Sequence, residues 1–197
     1  MRKVVVSEFI SLDGVVQAPI YADEDASGDF RHGGWHPGYF EAMSMQWVVE
    51  TVTGAGGFLL GRGTYERFAA HWPKASEAEQ ALARPMNALP KLVASRTLEG
   101  PLPWQNARLI KGDVPAAVAE LKQEDGKDLV VFGSPVLART LIAHDLVDEF
   151  RLMMDPVVLG SGKRLFHGDE QLRTLRLVSC QPVATGAMLV TYARARG

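Results

Sequence analysis

Three short stretches set chemistry-bearing residues directly after an apolar run. "FLLGRGTYE" carries Gly61, Arg62 and Thr64, "LVASRTL" carries Ser95 and Arg96, and "LVVFGSPVLARTLI" carries Gly133, Ser134 and Pro135. A glycine that ends a strand just before a helix leaves the helix's first N–H groups and its dipole facing outward, which suits an anion such as phosphate. Arg62 and Thr64 would add side-chain donors, and two such junctions suit a pyrophosphate better than one. The third stretch offers an arginine fork at a strand exit, suited to a further phosphate. Each junction has a plainer reading. Glycine closes turns in most α/β proteins, Ser-Pro is a common helix start, and an arginine at a strand exit is often only solvated.

Other candidates are single residues. Asp13 in "SLDG" could orient a substrate or help deliver a proton, or simply make an Asp-Gly turn. Trp35, Tyr39 and Met43 could line a substrate pocket or belong to the core. His32 and His36 stand four apart in "HGGWH", among glycines, with Asp23, Glu24, Asp25 and Asp29 nearby. They form no coherent ligand set, so no metal is expected. "GSGKR" imitates a phosphate-binding loop but has Val157 and Arg164 where glycine and Ser or Thr belong. Cys180, mid-strand, reads as a small core residue, and His71, His144 and His167 read as surface residues without partners.

The elements that must position these residues follow from periodicity. "KVVVSEFISL", "GFLLG", "KLVAS" and "LVVFG" read as strands. "YFEAMSMQWVVETVTGA", "RGTYERFAAHW", "SEAEQALAR", "DVPAAVAELKQE" and "SPVLARTLIAHD" read as helices. Phe40, Met43, Trp47 and Val48 are expected on one face of the first helix. Ser76 and Glu79 form a capping-box pattern, Asp113 is the expected cap of its helix, and Ser134 is a natural N-cap followed by Pro135. From "DEFRLMMDPVVLG" onward the pattern changes to strands, with "RTLRLVSCQPVA" and "AMLVTYARA" joined by a tip at Gly186. Strands alternating with helices, then pairing strands, describe an α/β fold. Its sheet is mostly parallel with an antiparallel C-terminal hairpin, and helices cover both faces.

The chain has 197 residues, 47% hydrophobic and 22% charged, a formal net charge of −2 and one cysteine. That length fits a single domain spanning 1–197. The charge gives no footprint for nucleic acid, and no stretch is long and apolar enough to span a bilayer. One cysteine excludes an intrachain disulfide, and the expected location is cytoplasmic.

Taken together, "SLDGVVQAP", "GRGTYE", "SRTL" and "VFGSPVLARTLIAHDLVDEFRL" with "PVVLGSGKRLF" resemble the dihydrofolate reductase-like superfamily. The nearest type is the C-terminal reductase domain of the riboflavin-biosynthesis deaminase–reductase and its stand-alone bacterial relatives. The resemblance implies a dihydrofolate reductase-like fold and a reductase that uses NADPH. Its implied action resembles that on 5-amino-6-(5-phosphoribosylamino)uracil, with hydride passing to a carbonyl or imine carbon of a small polar substrate. It implies that Gly61, Arg62 and Thr64 meet one side of the pyrophosphate, and that Gly133, Ser134, Val136 and Leu137 close over the other. Ser95 and Arg96 would take the adenosine 2′-phosphate. A small-molecule substrate is the expected partner, and a homodimer is left open.

Two alternatives remain open: dihydrofolate reductase itself, and a dinucleotide-binding protein without turnover. Against the first, Glu41 and Glu50 on the first helix match no pterin-binding motif, and Ser134 replaces the second of paired glycines. The deaminase half is absent, since its zinc signature needs more than one cysteine. Finally, the long loop from Asp13 to Gly38 is rich in glycine and carries Phe30 and Trp35. It is expected to cover the nicotinamide as a lid, the alternative being a surface loop pinned by its aromatics.

Overall fold

The computed structural model describes residues 1–168 and 171–195. The strands are β1 (Val4–Ser11), β2 (Gly57–Gly61), β3 (Lys91–Ala94), β4 (Ala107–Ile110), β5 (Leu129–Phe132), β6 (Glu149–Asp155), β7 (Leu175–Pro182) and β8 (Met188–Arg194). The α-helices are α1 (Ala42–Gly54), α2 (Arg62–His71), α3 (Gln80–Ala88), α4 (Val114–Gln123) and α5 (Pro135–Ala143). Among the described residues the eight strands form one sheet in the order β4-β3-β2-β5-β1-β6-β8-β7. The first six are parallel, while β8 runs antiparallel to both β6 and β7. The expected α/β architecture with an antiparallel C-terminal hairpin is therefore observed. β6 joins that end of the sheet by pairing in parallel with β1 rather than with its sequence neighbour β7.

Strand alternation divides the core in two. Val4, Val6 and Ile10 of β1 point to the layer of Val118 and Leu121 from α4 and Leu137, Ala138, Leu141 and Ile142 from α5. Val5 points the other way, to Val48 and Val52 of α1, Tyr65 of α2, Met86 of α3 and Trp104. Covering both faces explains why "KVVV", "FLL" and "LVV" are unbroken apolar runs rather than alternating ones. The capping box forms at Ser76 and Glu79, and the Asp113 carboxylate accepts from Ala116 N–H at 3.1 Å. Each such cap stabilises its helix by about 1 kcal/mol.

Several expectations change. α1 begins at Ala42, after Phe40, and buries Ser44, Val48, Thr51 and Val52; Met43 points outward, 40% exposed. β4 has no counterpart in the sequence reading, since four residues at a sheet edge with Arg108 exposed carry no usable period. Cys180 lies mid-strand as expected but is exposed, because edge strand β7 is covered on neither face. Two histidines expected to lack partners have them: His71 Nε2 meets Glu79 at 2.7 Å, and His144 Nδ1 meets the Thr140 carbonyl at 2.9 Å.

The connection leaving β2 runs outward to β3 along the face of α2 and α3, whereas the connection leaving β5 runs back over β1 through α5 on the opposite face. The carboxyl ends of β2 and β5 therefore open on a topological switch point, where ligands of open α/β sheets bind.

Candidate active site

Register brings the three junctions to one level. Leu59 pairs with Val131, so Gly61 stands beside Gly133; Gly61 also pairs with Ala94, so Ser95 leaves the sheet alongside. The two glycine junctions are bonded to each other: Gly61 N–H donates to Ser134 Oγ at 2.9 Å. Ser134 is 6% exposed and adopts a left-handed conformation, φ +63°. It precedes α5 as expected, but its hydroxyl does not cap α5. The helix thus keeps its first donors, on Val136 and Leu137, without a side-chain acceptor. Gly133 has φ +62°, and a Cβ there would stand 3.4 Å from Thr64 Oγ1. The left-handed turn is what favours glycine here, and Thr64 packs against it at contact distance. The result is a shallow cradle floored by backbone, edged by Thr64 and opened by an uncapped helix N-terminus. These features fit a phosphate-bearing cofactor.

The third junction joins the same cradle through Arg62, whose Nη1 donates to Thr97 Oγ1 at 2.9 Å. Ser95 Oγ accepts from Thr97 N–H and Leu98 N–H at 3.1 and 3.0 Å, so it shapes the loop. Arg96 is exposed and makes no hydrogen bond or ion pair among the described residues. Val136 is exposed on the outer side of the cradle, while the Leu137 side chain is buried in the core, leaving only its N–H for a ligand.

By register, Glu8 of β1 follows the Ser7–Phe132 pair and comes level with Gly133. It is buried, and its Oε1 has no partner. Burial, helped by the charge of Glu24, pushes its pKa well above the ordinary carboxylate value. Asp13 differs. Its Oδ1 accepts from Ser11 Oγ at 2.7 Å and Leu159 N–H at 3.1 Å, and its Oδ2 from Gly160 N–H at 2.9 Å and Arg164 at 3.3 Å. Burial acts to raise its pKa, but the Ser11, Leu159 and Gly160 hydrogen bonds prevail and bring it down to about 2. An aspartate this well supplied with donors is a fastening between "SLDG" and the loop at 159–164. It is a poor proton donor, which weighs against the catalytic role expected of it.

The long loop is fastened too. Val16 N–H donates to the Lys163 carbonyl, Gln17 Oε1 accepts from Lys163 N–H, and Gln17 Nε2 donates to the Asp25 and Ser27 carbonyls. At its tip, Arg67 of α2 donates to the Asp23 and Glu24 carbonyls. The loop thus spans from β1 to α2. "GSGKR" serves this fastening: Gly162 at φ +119° would, with a Cβ, run into Val15 at 2.7 Å.

The three expected pocket residues are not brought together. Trp35 packs beside Val15, Ala18 and Phe30, with Nε1 donating to the Gln17 carbonyl at 2.9 Å; Tyr39 packs against the Met153 cluster; Met43 is outside both. The aromatic surface that does form comprises Phe9, His36, Phe40 and Phe132, with Phe68 beyond Phe132. At its centre His36 Nδ1 lies 2.8 Å from Asp155 Oδ2, with the two side chains 1% and 0% exposed. His36 is thereby removed from His32, which is exposed. No local pattern signals this pair, because its members are 119 residues apart.

Residues 2–189 match the family described as the RibD C-terminal domain. The chain belongs to that family. Among relatives from Bacillus subtilis (strain 168), the uncharacterized protein YyaP is 34% identical over 193 residues, covering 97% of this chain and 94% of its own. The uncharacterized protein YwjB is 30% identical over 181 residues, covering 89% of each. Three solved structures share the fold. A putative riboflavin biosynthesis protein from Shewanella sp. PV-4 superposes with TM-score 0.68 at 22% identity, covering 98% of this chain and 99% of that one. A pyrimidine reductase-like protein from Corynebacterium diphtheriae gives 0.66 at 11%, covering 100% and 93%. Dihydrofolate reductase from Enterococcus faecalis, complexed with NADP(H) and RAB-propyl, gives 0.61 at 13%, covering 98% and 97%. The RibD C-terminal domain thus carries a dihydrofolate reductase-like fold, as its motifs imply, and its relatives support a reductase family.

Proposed function

We propose that this chain is an NADPH-dependent reductase of the riboflavin-biosynthesis type, passing hydride to a carbonyl or imine carbon of a small polar substrate. The observation that carries the reading is the interlocked pair of junctions: Gly61 N–H on Ser134 Oγ, with the donors of α5 left open at the switch point. Backbone donors and a helix dipole in that place suit a pyrophosphate. Arg62 and Thr64 stand on one side of the cradle, and Arg96 extends from the neighbouring strand exit toward solvent, suited to a 2′-phosphate. NADPH supplies the hydride; the protein orients it and excludes water. Asp13 acts as a positioning residue, holding the strand end and the 159–164 loop together. The long loop, bonded to Lys163 and to Arg67 of α2, is the segment that would cover the nicotinamide in this reading.

A dihydrofolate reductase reading is weaker. Glu50 is exposed on α1, and Glu41 precedes the helix with its carboxylate toward Ala184 N–H. Neither acid faces the aromatic surface.

The test is oxidation of NADPH, followed by absorbance, in the presence of 5-amino-6-(5-phosphoribosylamino)uracil or dihydrofolate. Turnover of the pyrimidine with NADPH is the expected result. Turnover of dihydrofolate alone would move the protein to the other branch of the fold, and NADPH binding without turnover of any carbonyl or imine compound would leave only a binding protein.

A further inference from the structure

The two edges of the sheet are built differently. β4 is four residues long, with Ile110 buried in one core layer, Ala107 and Leu109 packed against the other, and Arg108 exposed between them. β7 is eight residues long, and after half-buried Leu175 every residue of it is exposed. Leu177 is 51% and Val178 49% exposed, and Cys180 is open to solvent. Ordering a strand costs roughly 1–2 kcal/mol per residue in backbone entropy, and β7 recovers little of that by burial. Its inner side is bonded to β8, while no backbone bond among the described residues leaves its outer side. A free ladder of N–H and C=O groups is matched in full only by another strand.

The strand's own residues narrow the occupant. Natural edges are guarded by shortness, lysine, proline or bulges. β7 has a bulge at Val178, which lacks a partner on β8, but Arg176 is its one charge and Pro182 stands at its last position. An apolar row continues inward from it. Leu177 pairs with Tyr192 and Tyr192 with Phe150, so the three share one face, and Phe166, itself 51% exposed, lies 5.4 Å from Phe150. The strand is also complementary to itself. With two copies antiparallel about a two-fold axis between Val178 and Ser179, Arg176 of each stands opposite Gln181 of the other, Leu177 opposite Cys180, and Val178 opposite Ser179. Arg176 does not meet Arg176, and β7 brings no carboxylate or lysine to the seam, so no like charges are opposed. A two-fold axis lets the same patch serve both copies.

We propose that β7 is the self-association edge of this chain. Two copies pair their β7 strands antiparallel and join their sheets into one, with Leu177 and Tyr192 of each copy forming a continuous apolar face across the seam. β1, β6 and β8 stand between β7 and β5, so the seam lies away from the glycine cradle and each copy keeps its own cradle open.

Sedimentation velocity over a range of concentrations tests the pairing. The expected species has twice the mass of the 21.5 kDa chain. Leu177→Lys combined with Val178→Lys changes side chains that are already half exposed, so the fold, checked by far-UV circular dichroism, is retained and the mass falls to that of one chain. Arg108→Ala, at the other edge, leaves the mass doubled. Hydrogen exchange of wild type needs no variant: amides of residues 177–181 that do not bond to β8 should be protected. Wild type that stays at the mass of one chain up to its highest soluble concentration would overturn the proposal. A folded double variant that keeps the doubled mass, or loss of the doubled mass in Arg108→Ala, would place the interface elsewhere and overturn it as well. If the double variant fails to fold, outer-edge amides of wild type that exchange as fast as unpaired chain would still overturn it.

Discussion

Two aspartates close the carboxyl edge of the sheet near β1 and β6, and they are built in opposite ways. Asp13 takes four donors and is held at about pKa 2; Asp155 takes one, keeps an oxygen unpartnered, and is pushed upward by burial against the pull of His36. The sequence points to the first, because it stands in a recognisable motif, and passes over the second. The contrast teaches that a carboxylate's availability is decided by how many donors reach it. A saturated carboxylate fastens backbone; an under-supplied one depends on the single partner it has.

Predictions that break or sharpen this contrast run from the largest loss of stability to the smallest. Asp155→Ala should lower the unfolding free energy by about 3–5 kcal/mol, because it leaves His36 Nδ1 buried without its partner. Urea unfolding measures the loss, and a change below about 1 kcal/mol would mean that the pair holds nothing in place.

Asp13→Asn should cost less, on the order of 2 kcal/mol, as charge-assisted bonds weaken. The effect has a pH signature. The folded pKa, about 2, lies below the ordinary 3.8, so the contribution is complete above pH 3.8 and is lost as pH falls through 2. Urea midpoints of wild type and variant should converge toward pH 2, and a constant gap down to that pH would contradict the account.

Smaller effects belong to the cradle and the caps. Ser134→Ala strands Gly61 N–H and places alanine at φ +63°, costing about 1–2 kcal/mol and weakening NADPH binding. Ser76→Ala removes half a capping box from an exposed helix start, costing about 0.5–1 kcal/mol with no effect on the cofactor. Thermal unfolding of the two, with and without NADPH, separates them: added cofactor should raise Tm less for Ser134→Ala than for Ser76→Ala.

What the sequence could reveal follows from how local each feature is. Strands β1, β2, β3 and β5, the Ser76 and Asp113 caps and the Gly186 hairpin tip are written in neighbouring residues, and they appear where the pattern puts them. The meeting of Gly61 with Gly133 depends on register, which strand–glycine–helix junctions foreshadow without fixing. Ser134 shows the limit: its type predicts a cap, but its hydroxyl is claimed by a residue 73 positions away. β4 and the exposure of Cys180 depend on being at sheet edges, and edge position is a property of topology rather than of local pattern. Met43 faces out because the buried stripe of α1 runs through Ser44, Val48, Thr51 and Val52, which turns Met43 away from the core. His36 and Asp155 leave no trace at all, since the fold alone brings them together.

The central claim is that the carboxyl ends of β2, β3 and β5 hold NADPH, with the 2′-phosphate on Arg96. Its most direct test is a fluorescence titration of wild type and Arg96→Ala with NADPH and NADH. The account predicts that wild type binds NADPH more tightly than NADH, and that Arg96→Ala loses about 1–3 kcal/mol toward NADPH while NADH affinity stays nearly unchanged. Equal affinities of wild type for the two cofactors, or a variant that still prefers NADPH, would contradict it.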